Sequence, residues 1–154
     1  MKYILVLLFT FSLSAEMNVY DKIRMQQLRD KITVVQLEGQ LQEAYYFIAV
    51  AEIENWDGKH IDGKDDDRGP LQITPDFYKD AVWQLKQEGK PYPSAKDLYY
   101  IKESKIIARA YYRRYKLKSP FNRARAHNNG PSYTGPSDYA IRVLNLMRSY
   151  NANR

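Results

Sequence analysis

Glu54 is the side chain whose position best suits acid catalysis. It ends the largely apolar stretch AVAEIEN and directly precedes a polar segment that contains glycine. We expect such a helix end to hold the carboxyl group half-buried at the mouth of a cleft. Partial loss of water disfavours the charged carboxylate and raises its pKa, as a general acid requires near neutral pH. The alternative is an ordinary helix-end glutamate that faces water.

Amide and phenol side chains at later positions could recognise a sugar chain. They are Gln72 in RGPLQITP, Asn128 and Asn129 in AHNNGP, and Tyr139 at the start of DYAIRVL. An amide both donates and accepts hydrogen bonds, so it can pair with acetamido and hydroxyl groups. Each position also has a structural interpretation: a turn glutamine, turn asparagines kept for their backbone geometry, and a core tyrosine.

The spacing of the apolar residues predicts a mainly α-helical chain, and its helices must position the residues named above. Val19 to Leu41 is expected to form one or two amphipathic helices with a joint at Gly39, and a further helix should run from Gln42 to Asn55. Trp56 to Arg68 is polar and contains two glycines. We expect a loop or a short β-hairpin there, which could form a small sheet in the middle of the chain.

Helix-capping residues predict where the next two helices begin. Thr74 is the expected N-cap with Pro75 at the first helical position, and Gly89 should close that helix. Ser94 followed three residues later by Asp97 resembles a capping box, which predicts a single helix from there to the region of Tyr115.

The end of the chain is expected to hold two more helices. A short helix is predicted over Asn122–Ala126, followed by the turn-rich run HNNGPSYTGPS. Ser137 should then cap a last amphipathic helix that extends to about Tyr150.

Composition restricts the chemistry and the partners. A chain of 154 residues is the size of one globular domain. It has no cysteine, which excludes disulfides, thiol nucleophiles and zinc-thiolate sites, so carboxylates, hydroxyls and the two histidines remain. The formal net charge of +6 suits a polyanionic partner such as cell wall, nucleic acid or an anionic membrane.

The first residues, MKYILVLLFTFSLSA, have the layout of a secretory signal peptide. Lys2 precedes an apolar run that ends in small residues. An uncleaved anchor is the alternative, but the run is shorter than the roughly 20 apolar residues that span a bilayer. We therefore expect a signal peptide at 1–15, a helical extension at 16–41 and one domain at 42–154. The mature protein should be periplasmic or extracellular, with no stable membrane span.

In order and spacing, AVAEIENWDG, GPLQI, AHNNGP and DYAIRVL resemble the soluble lytic transglycosylase and goose-type lysozyme group of the lysozyme-like superfamily. Members carry a glutamate at a helix end, usually followed by serine, and then a glycine-bearing turn that leads into a Gln-Ile pair. An Ala-Tyr-Asn-x-Gly-Pro turn and a tyrosine that opens a helix come later. The match extends from Tyr45 to Leu146, and its first two motifs are the more specific because they occur close together.

This resemblance implies a mainly α, lysozyme-like domain that cleaves the MurNAc-GlcNAc linkage of peptidoglycan glycan strands without a cofactor. Glu54 would protonate the glycosidic oxygen, and Gln72 and Ile73 would line the cleft. Asn128 would contact an N-acetyl group, and Tyr139 would steady the catalytic carboxyl group or the sugar.

The chain departs from the family pattern at two positions. Asn55 stands where serine is usual, and His127 stands where tyrosine is common. These departures leave open a non-catalytic lysozyme-like protein that binds cell wall or inhibits a partner. A nucleic-acid-binding helical protein would explain the charge but not the series Glu54, Gln72 and Asn128, so no nucleic acid is expected. The pattern predicts no particular oligomeric state.

An acidic loop between the first two motifs could supply a second carboxylate. Asp62 and Asp67 lie in the run DGKHIDGKDDDR. Glycosidases hold two carboxyl groups about 5 to 5.5 Å apart when retaining and about 6.5 to 9.5 Å apart when inverting. An aspartate in reach of Glu54 would give hydrolysis; otherwise the substrate's own acetamido group would assist and give the anhydro product of a transglycosylase. A solvated loop is the alternative. No metal is expected, since the register lacks the glycine and terminal glutamate of a calcium loop.

Overall fold

The computed structural model describes residues 19–54 and 66–152, and at residues 19–25, 27, 29, 31 and 34 it describes the backbone alone. The expected signal peptide at 1–15 lies outside the described residues, as does most of the expected β-hairpin segment. Within the described ranges there are five α-helices and one 3-10 helix, so the mainly α class is confirmed. They are α1 (Val19–Ile53), α2 (Pro75–Gln87), the 3-10 helix Ala95–Tyr99, α3 (Ile101–Arg114), α4 (Pro120–Asn129) and α5 (Asp138–Ala152).

The chain divides into two compact units, residues 1–39 and residues 40–154. Among the side chains that the structure describes in the first unit, the exposed apolar ones are Leu28, Ile32, Val35 and Leu37 of α1. The predicted joint at Gly39 is wrong, because α1 continues through this residue without a break. A single glycine costs a helix only about 1 kcal/mol, which its neighbours can offset. None of the helices in the described ranges is both long enough and apolar enough to cross a membrane.

Helix α2 begins and ends where its capping residues predict. The Thr74 hydroxyl accepts a hydrogen bond from the Phe77 amide at 3.1 Å, and Pro75 occupies the first helical position. Beyond the last turn Gly89 adopts a left-handed backbone with φ of +65°, and the Lys90 amide donates to the Leu85 carbonyl at 2.9 Å. Both ends are fixed by local chemistry.

The capping box at Ser94 and Asp97 is present, but the helix that it starts is short. It gives the 3-10 helix Ala95–Tyr99, and α3 begins separately after Tyr100, whose backbone is extended. The prediction of one continuous helix is therefore wrong. The buried Ser104 hydroxyl donates to the Leu98 carbonyl at 2.6 Å, which satisfies an acceptor that the interruption leaves without a helical partner.

Helix α4 is longer than predicted. It begins at Pro120, because the Ser119 hydroxyl accepts from the Asn122 amide at 3.2 Å, and it extends to Asn129 before Gly130 at φ of +84°. The amides of AHNNGP therefore stand in the last turn of a helix and not in the expected tight turn. The cap predicted at Ser137 is confirmed, since its hydroxyl accepts from the Ala140 amide at 3.2 Å.

The core of the second unit contains large side chains from the end of α1, the turn at residues 68–73, the 3-10 helix, and helices α2, α3 and α5. The fully buried ones include Tyr46, Phe47, Val50, Leu71, Ile73, Leu98, Ile107 and Val143. Phe77 stacks face to face on Tyr111 with ring centroids 3.7 Å apart, which joins α2 to α3. Burying side chains of this size contributes about 1.5 to 3 kcal/mol each to folding.

The 68–73 turn is held closed by paired backbone groups. Arg68 and Ile73 exchange hydrogen bonds of 3.0 and 2.9 Å in an isolated antiparallel bridge, the β-type pairing found in the described part of the expected sheet region. Gly69 has a φ of +70°, and a Cβ at this position would lie 1.8 Å from the Leu98 carbonyl oxygen. Only glycine fits here, so the turn can pack directly on the 3-10 helix.

Candidate active site

Glu54 lies one residue beyond α1 with its side chain half-buried. Its amide donates to the Val50 carbonyl at 3.0 Å, which continues the last helical turn. Its Oε1 accepts a hydrogen bond of 2.6 Å from the hydroxyl of Tyr139 in the first turn of α5. Burial, and next the neighbouring Glu54 carboxylate, raise the pKa of Tyr139. The phenol therefore remains a donor at all ordinary pH values and fixes one oxygen of the carboxyl group.

A second tyrosine of α5 makes the same kind of bond at the surface. The Tyr150 hydroxyl donates to Glu52 Oε2, and burial followed by that hydrogen bond raises the pKa of Tyr150 to about 12. Glu52 is exposed, whereas Glu54 is half-buried. The two pairs have the same chemistry in different surroundings.

His127 lies in the last turn of α4 and is half-buried against the 68–73 turn and α3. Its Nε2 lies 2.7 Å from the Leu71 carbonyl oxygen, and its Nδ1 lies 3.1 Å from the Tyr112 hydroxyl. A carbonyl can only accept, so Nε2 carries the proton and Nδ1 of the neutral ring accepts from Tyr112. The Tyr112 oxygen is then free to accept from the Tyr46 hydroxyl at 2.9 Å. The three side chains thus form one directed chain of hydrogen bonds.

The surroundings of His127 favour its neutral form. Burial lowers the pKa of the imidazole, and the Glu54 carboxylate and the Leu71 carbonyl oppose that shift. A charged ring would also need Nδ1 to donate, which would reverse the bonds to Tyr112 and to the buried Tyr46. The neutral imidazole is therefore the form that this hydrogen-bond chain requires.

His127 brings the sequence motifs together. Its ring lies parallel to that of Tyr139, with an interplanar angle of 4° and centroids 6.3 Å apart. It bonds the carbonyl of the residue before Gln72, and Asn128 follows it in the chain. Through Tyr139 this arrangement reaches Glu54. Sequence reasoning treated His127 only as a departure from a pattern and missed the buried tyrosines bonded to it, which carry no signal that separates them from core tyrosines.

Gln72 closes the 68–73 turn. It has a left-handed backbone with φ of +44°. Its backbone N–H donates to the Gly69 carbonyl at 3.0 Å, and its side-chain Nε2 donates to the same oxygen at 2.9 Å. Its neighbour Ile73 was expected to line a cleft. Ile73 is 1% exposed and packs in the core, so its side chain offers no surface to a ligand.

The remaining predicted residues are placed as follows. Asn128 is exposed on the last turn of α4, while Asn129 Oδ1 accepts from the Ser137 hydroxyl at 3.3 Å. Asp67 is half-buried next to Arg68. Asp62 and Asn55 lie outside the described residues, so a second carboxylate stays a prediction. In the ranges 19–54 and 66–152, no three histidine or acidic side chains group in a way that could hold a metal ion.

The arrangement around Glu54 suits proton transfer. Tyr139 fixes Oε1, and Oε2 has no hydrogen-bond partner among the described side chains. A carboxyl group held on one oxygen and available on the other can deliver a proton to a bound atom and take one back. No protein-family model, no curated protein and no solved structure matches this chain. Function therefore has to be inferred from the site itself.

Proposed function

We propose that this chain is a peptidoglycan-cleaving glycosidase of the soluble lytic transglycosylase and goose-type lysozyme group, with Glu54 as its general acid. Its substrate is the MurNAc-GlcNAc linkage of bacterial glycan strands. The observation that carries the proposal is the 2.6 Å hydrogen bond from Tyr139 to Glu54. The sequence resemblance gives these two residues the roles of acid and supporting phenol, and the hydrogen bond supports those roles.

In the proposed reaction, Glu54 Oε2 donates its proton to the glycosidic oxygen as the bond from that oxygen to the anomeric carbon breaks. The leaving sugar departs with a new hydroxyl group. Negative charge forms on Glu54 in the same step, and the hydrogen bond donated by Tyr139 stabilises it. This stabilisation is greatest once the proton has left, so it lowers the barrier to its transfer.

The second step returns a proton to Glu54. The anomeric carbon, assisted by the substrate's acetamido group, is attacked by water or by a hydroxyl of the same sugar, and the Glu54 carboxylate takes the proton of the attacking group. Attack by water gives a reducing end, and attack by the sugar's own hydroxyl gives an anhydro end. Neither route needs a cofactor.

Charge supports the same substrate. The formal net charge of +6 favours association with an anionic wall polymer. We propose that the protein is exported, so that it meets this polymer outside the cytoplasm. His127 and its tyrosine partners would then keep the 68–73 turn and Tyr139 in place while the glycan strand binds.

Mass analysis of purified peptidoglycan after incubation with the full chain tests this function. We expect soluble muropeptides whose ends are either reducing or anhydro, the anhydro form being lighter by one water molecule. Sedimentation of the protein with the wall is measured in parallel. Sedimentation without any released fragment would contradict the proposal and favour a non-catalytic wall-binding protein.

A further inference from the structure

A basic cavity lies where α3 ends and α4 begins, within the second unit. Its volume is about 530 Å³, inside the range of about 300 to 1,000 Å³ of small-molecule sites. Five of the side chains that line it are basic and one is acidic: Arg109, Arg113, Lys116, Lys118 and Arg123, with Glu43. Glu54, Gln72 and Tyr139 do not line this cavity, although it shares Tyr112 with the hydrogen-bond chain of His127.

Part of this positive charge is already neutralised. Arg109 makes a forked contact with Glu43 at 2.6 and 3.2 Å, and Arg113 makes one with Glu88 at 2.8 and 2.9 Å. These ion pairs hold the two guanidinium groups in place in the lining of the cavity. Because Glu43 and Glu88 are already paired with these arginines, they do not neutralise the other cations of the cavity.

The remaining cations have no acidic partner among the described residues. Lys116 and Lys118 are exposed and form no ion pair there. A helix dipole accounts for a cation in the last turn of α3, but Lys118 and Arg123 lie beyond the end of that helix. Their charge is therefore available to a ligand.

Arg123 is held in place without being neutralised. Its Nε donates to the Leu117 carbonyl at 3.0 Å, and its guanidinium lies 5.6 Å from the centre of the Tyr112 ring. A carbonyl and an aromatic face fix the orientation but leave the positive charge intact. A fixed guanidinium loses little entropy when an anion binds to its other donors.

We propose that this basic cavity binds the phosphate groups of a phosphodiester polymer that carries no bases. The three cations that no described carboxylate neutralises, Lys116, Lys118 and Arg123, all line the cavity, and charged donors of this kind bind the anionic oxygens of a phosphodiester. Single-stranded nucleic acid would also need exposed rings for base stacking, whereas among the described residues the aromatic side chain that lines the cavity is Tyr112, which is 3% exposed. The inference does not depend on catalysis by Glu54.

Isothermal titration calorimetry of the full chain at fixed ionic strength tests the site, with a glycerol-phosphate oligomer as the probe. The test variant combines Lys116→Glu with Lys118→Glu. The matched control combines Lys79→Glu with Lys96→Glu, which makes the same charge change at exposed lysines outside the cavity. We expect the test pair to weaken binding by about tenfold or more, from the loss of charge-assisted hydrogen bonds. The control pair should change binding by less than about threefold.

Three results would overturn the proposal. Equal weakening by both pairs would show general charge attraction. If inorganic phosphate bound as tightly as the oligomer, the site would recognise free phosphate and not a polymer. If an oligonucleotide with the same number of phosphates bound as tightly, the site would not distinguish the proposed polymer from nucleic acid. Glu54→Gln should keep full affinity for the oligomer, so failure of the glycosidase proposal would leave this measurement unaffected.

Discussion

Tyr139 and Glu54 are 85 residues apart in the sequence, and a hydrogen bond of 2.6 Å joins them. One stands in the first turn of α5 and the other follows the last turn of α1. Because the bond fixes a single carboxyl oxygen, it sets the direction in which the other oxygen faces. The parallel ring of His127 beside Tyr139 links this pair to the 68–73 turn.

Replacing Tyr139 by phenylalanine tests the role of that hydroxyl. We expect Tyr139→Phe to lower the rate of muropeptide release by about 10- to 100-fold, because a hydrogen bond to a charged group contributes about 1.5 to 3 kcal/mol. The control is Tyr150→Phe, which removes the equivalent bond to Glu52. The control should retain nearly full activity, and equal losses in the two variants would contradict a specific role for Tyr139.

Acid should destabilise the folded protein through His127. The pKa of this histidine is lowered from its ordinary value of 6.5 by burial. At pH values just below 6.5 the unfolded chain therefore binds more protons at this position than the folded chain, so stability falls as the pH falls through this window.

Chemical denaturation at about pH 7.5 and about pH 5 measures this effect. We expect the loss of stability between the two pH values to be smaller in His127→Gln than in the wild type, because the glutamine does not titrate. An identical pH dependence in the two proteins would show that His127 is not held neutral.

The direction of the buried hydrogen bonds predicts unequal effects for two similar mutations. Tyr112→Phe leaves both His127 Nδ1 and the Tyr46 hydroxyl without a partner, so it should cost about 2 to 4 kcal/mol of stability. Tyr46→Phe removes only the terminal donor and should cost about 1 kcal/mol. Urea denaturation of both variants checks the order, and a larger loss in Tyr46→Phe would reverse the assigned direction of the chain.

Alanine substitutions at two glycines with left-handed backbones distinguish the stability cost of a steric clash from that of backbone strain. Gly69→Ala would place a Cβ 1.8 Å from the Leu98 carbonyl oxygen, whereas at Gly89 a Cβ would meet nothing within 4 Å. We expect Gly89→Ala to cost about 1 to 2 kcal/mol from backbone strain alone. Gly69→Ala should cost about 3 kcal/mol or more, because overpacking adds to the same strain. Equal melting temperatures of the two variants would show that the 68–73 turn does not pack on the 3-10 helix.

Helices whose ends depend on local chemistry could be predicted from the sequence. Thr74 with Pro75 and the Ser137 hydroxyl cap their helices as expected, because a cap needs only residues three or four positions away. The same kind of signal was overlooked at Ser119 and Pro120, so α4 was predicted too short. The weak preference of Gly39 against helix was overridden, because α1 continues on both sides of this residue.

The contacts that join the site depend on distant parts of the chain. Glu54 and Tyr139 were predicted to act together only through a family resemblance, since nothing local indicates their hydrogen bond. The contact of His127 with the Leu71 carbonyl spans 56 residues and requires the packed 68–73 turn. Ile73 was misplaced for a related reason: its motif marks the turn, but packing decides that its side chain faces the core.

The most direct test of the account compares the initial rates of muropeptide release by Glu54→Gln and Glu52→Gln. Both variants replace a tyrosine-bonded carboxylate at the end of α1, but only Glu54 is assigned the transferred proton. With equal thermal stability, Glu54→Gln should release fragments at least about 100-fold more slowly than the wild type, the range expected for loss of a general acid. Glu52→Gln should stay close to the wild-type rate. Full activity in Glu54→Gln would contradict the assignment of Glu54 as the catalytic acid.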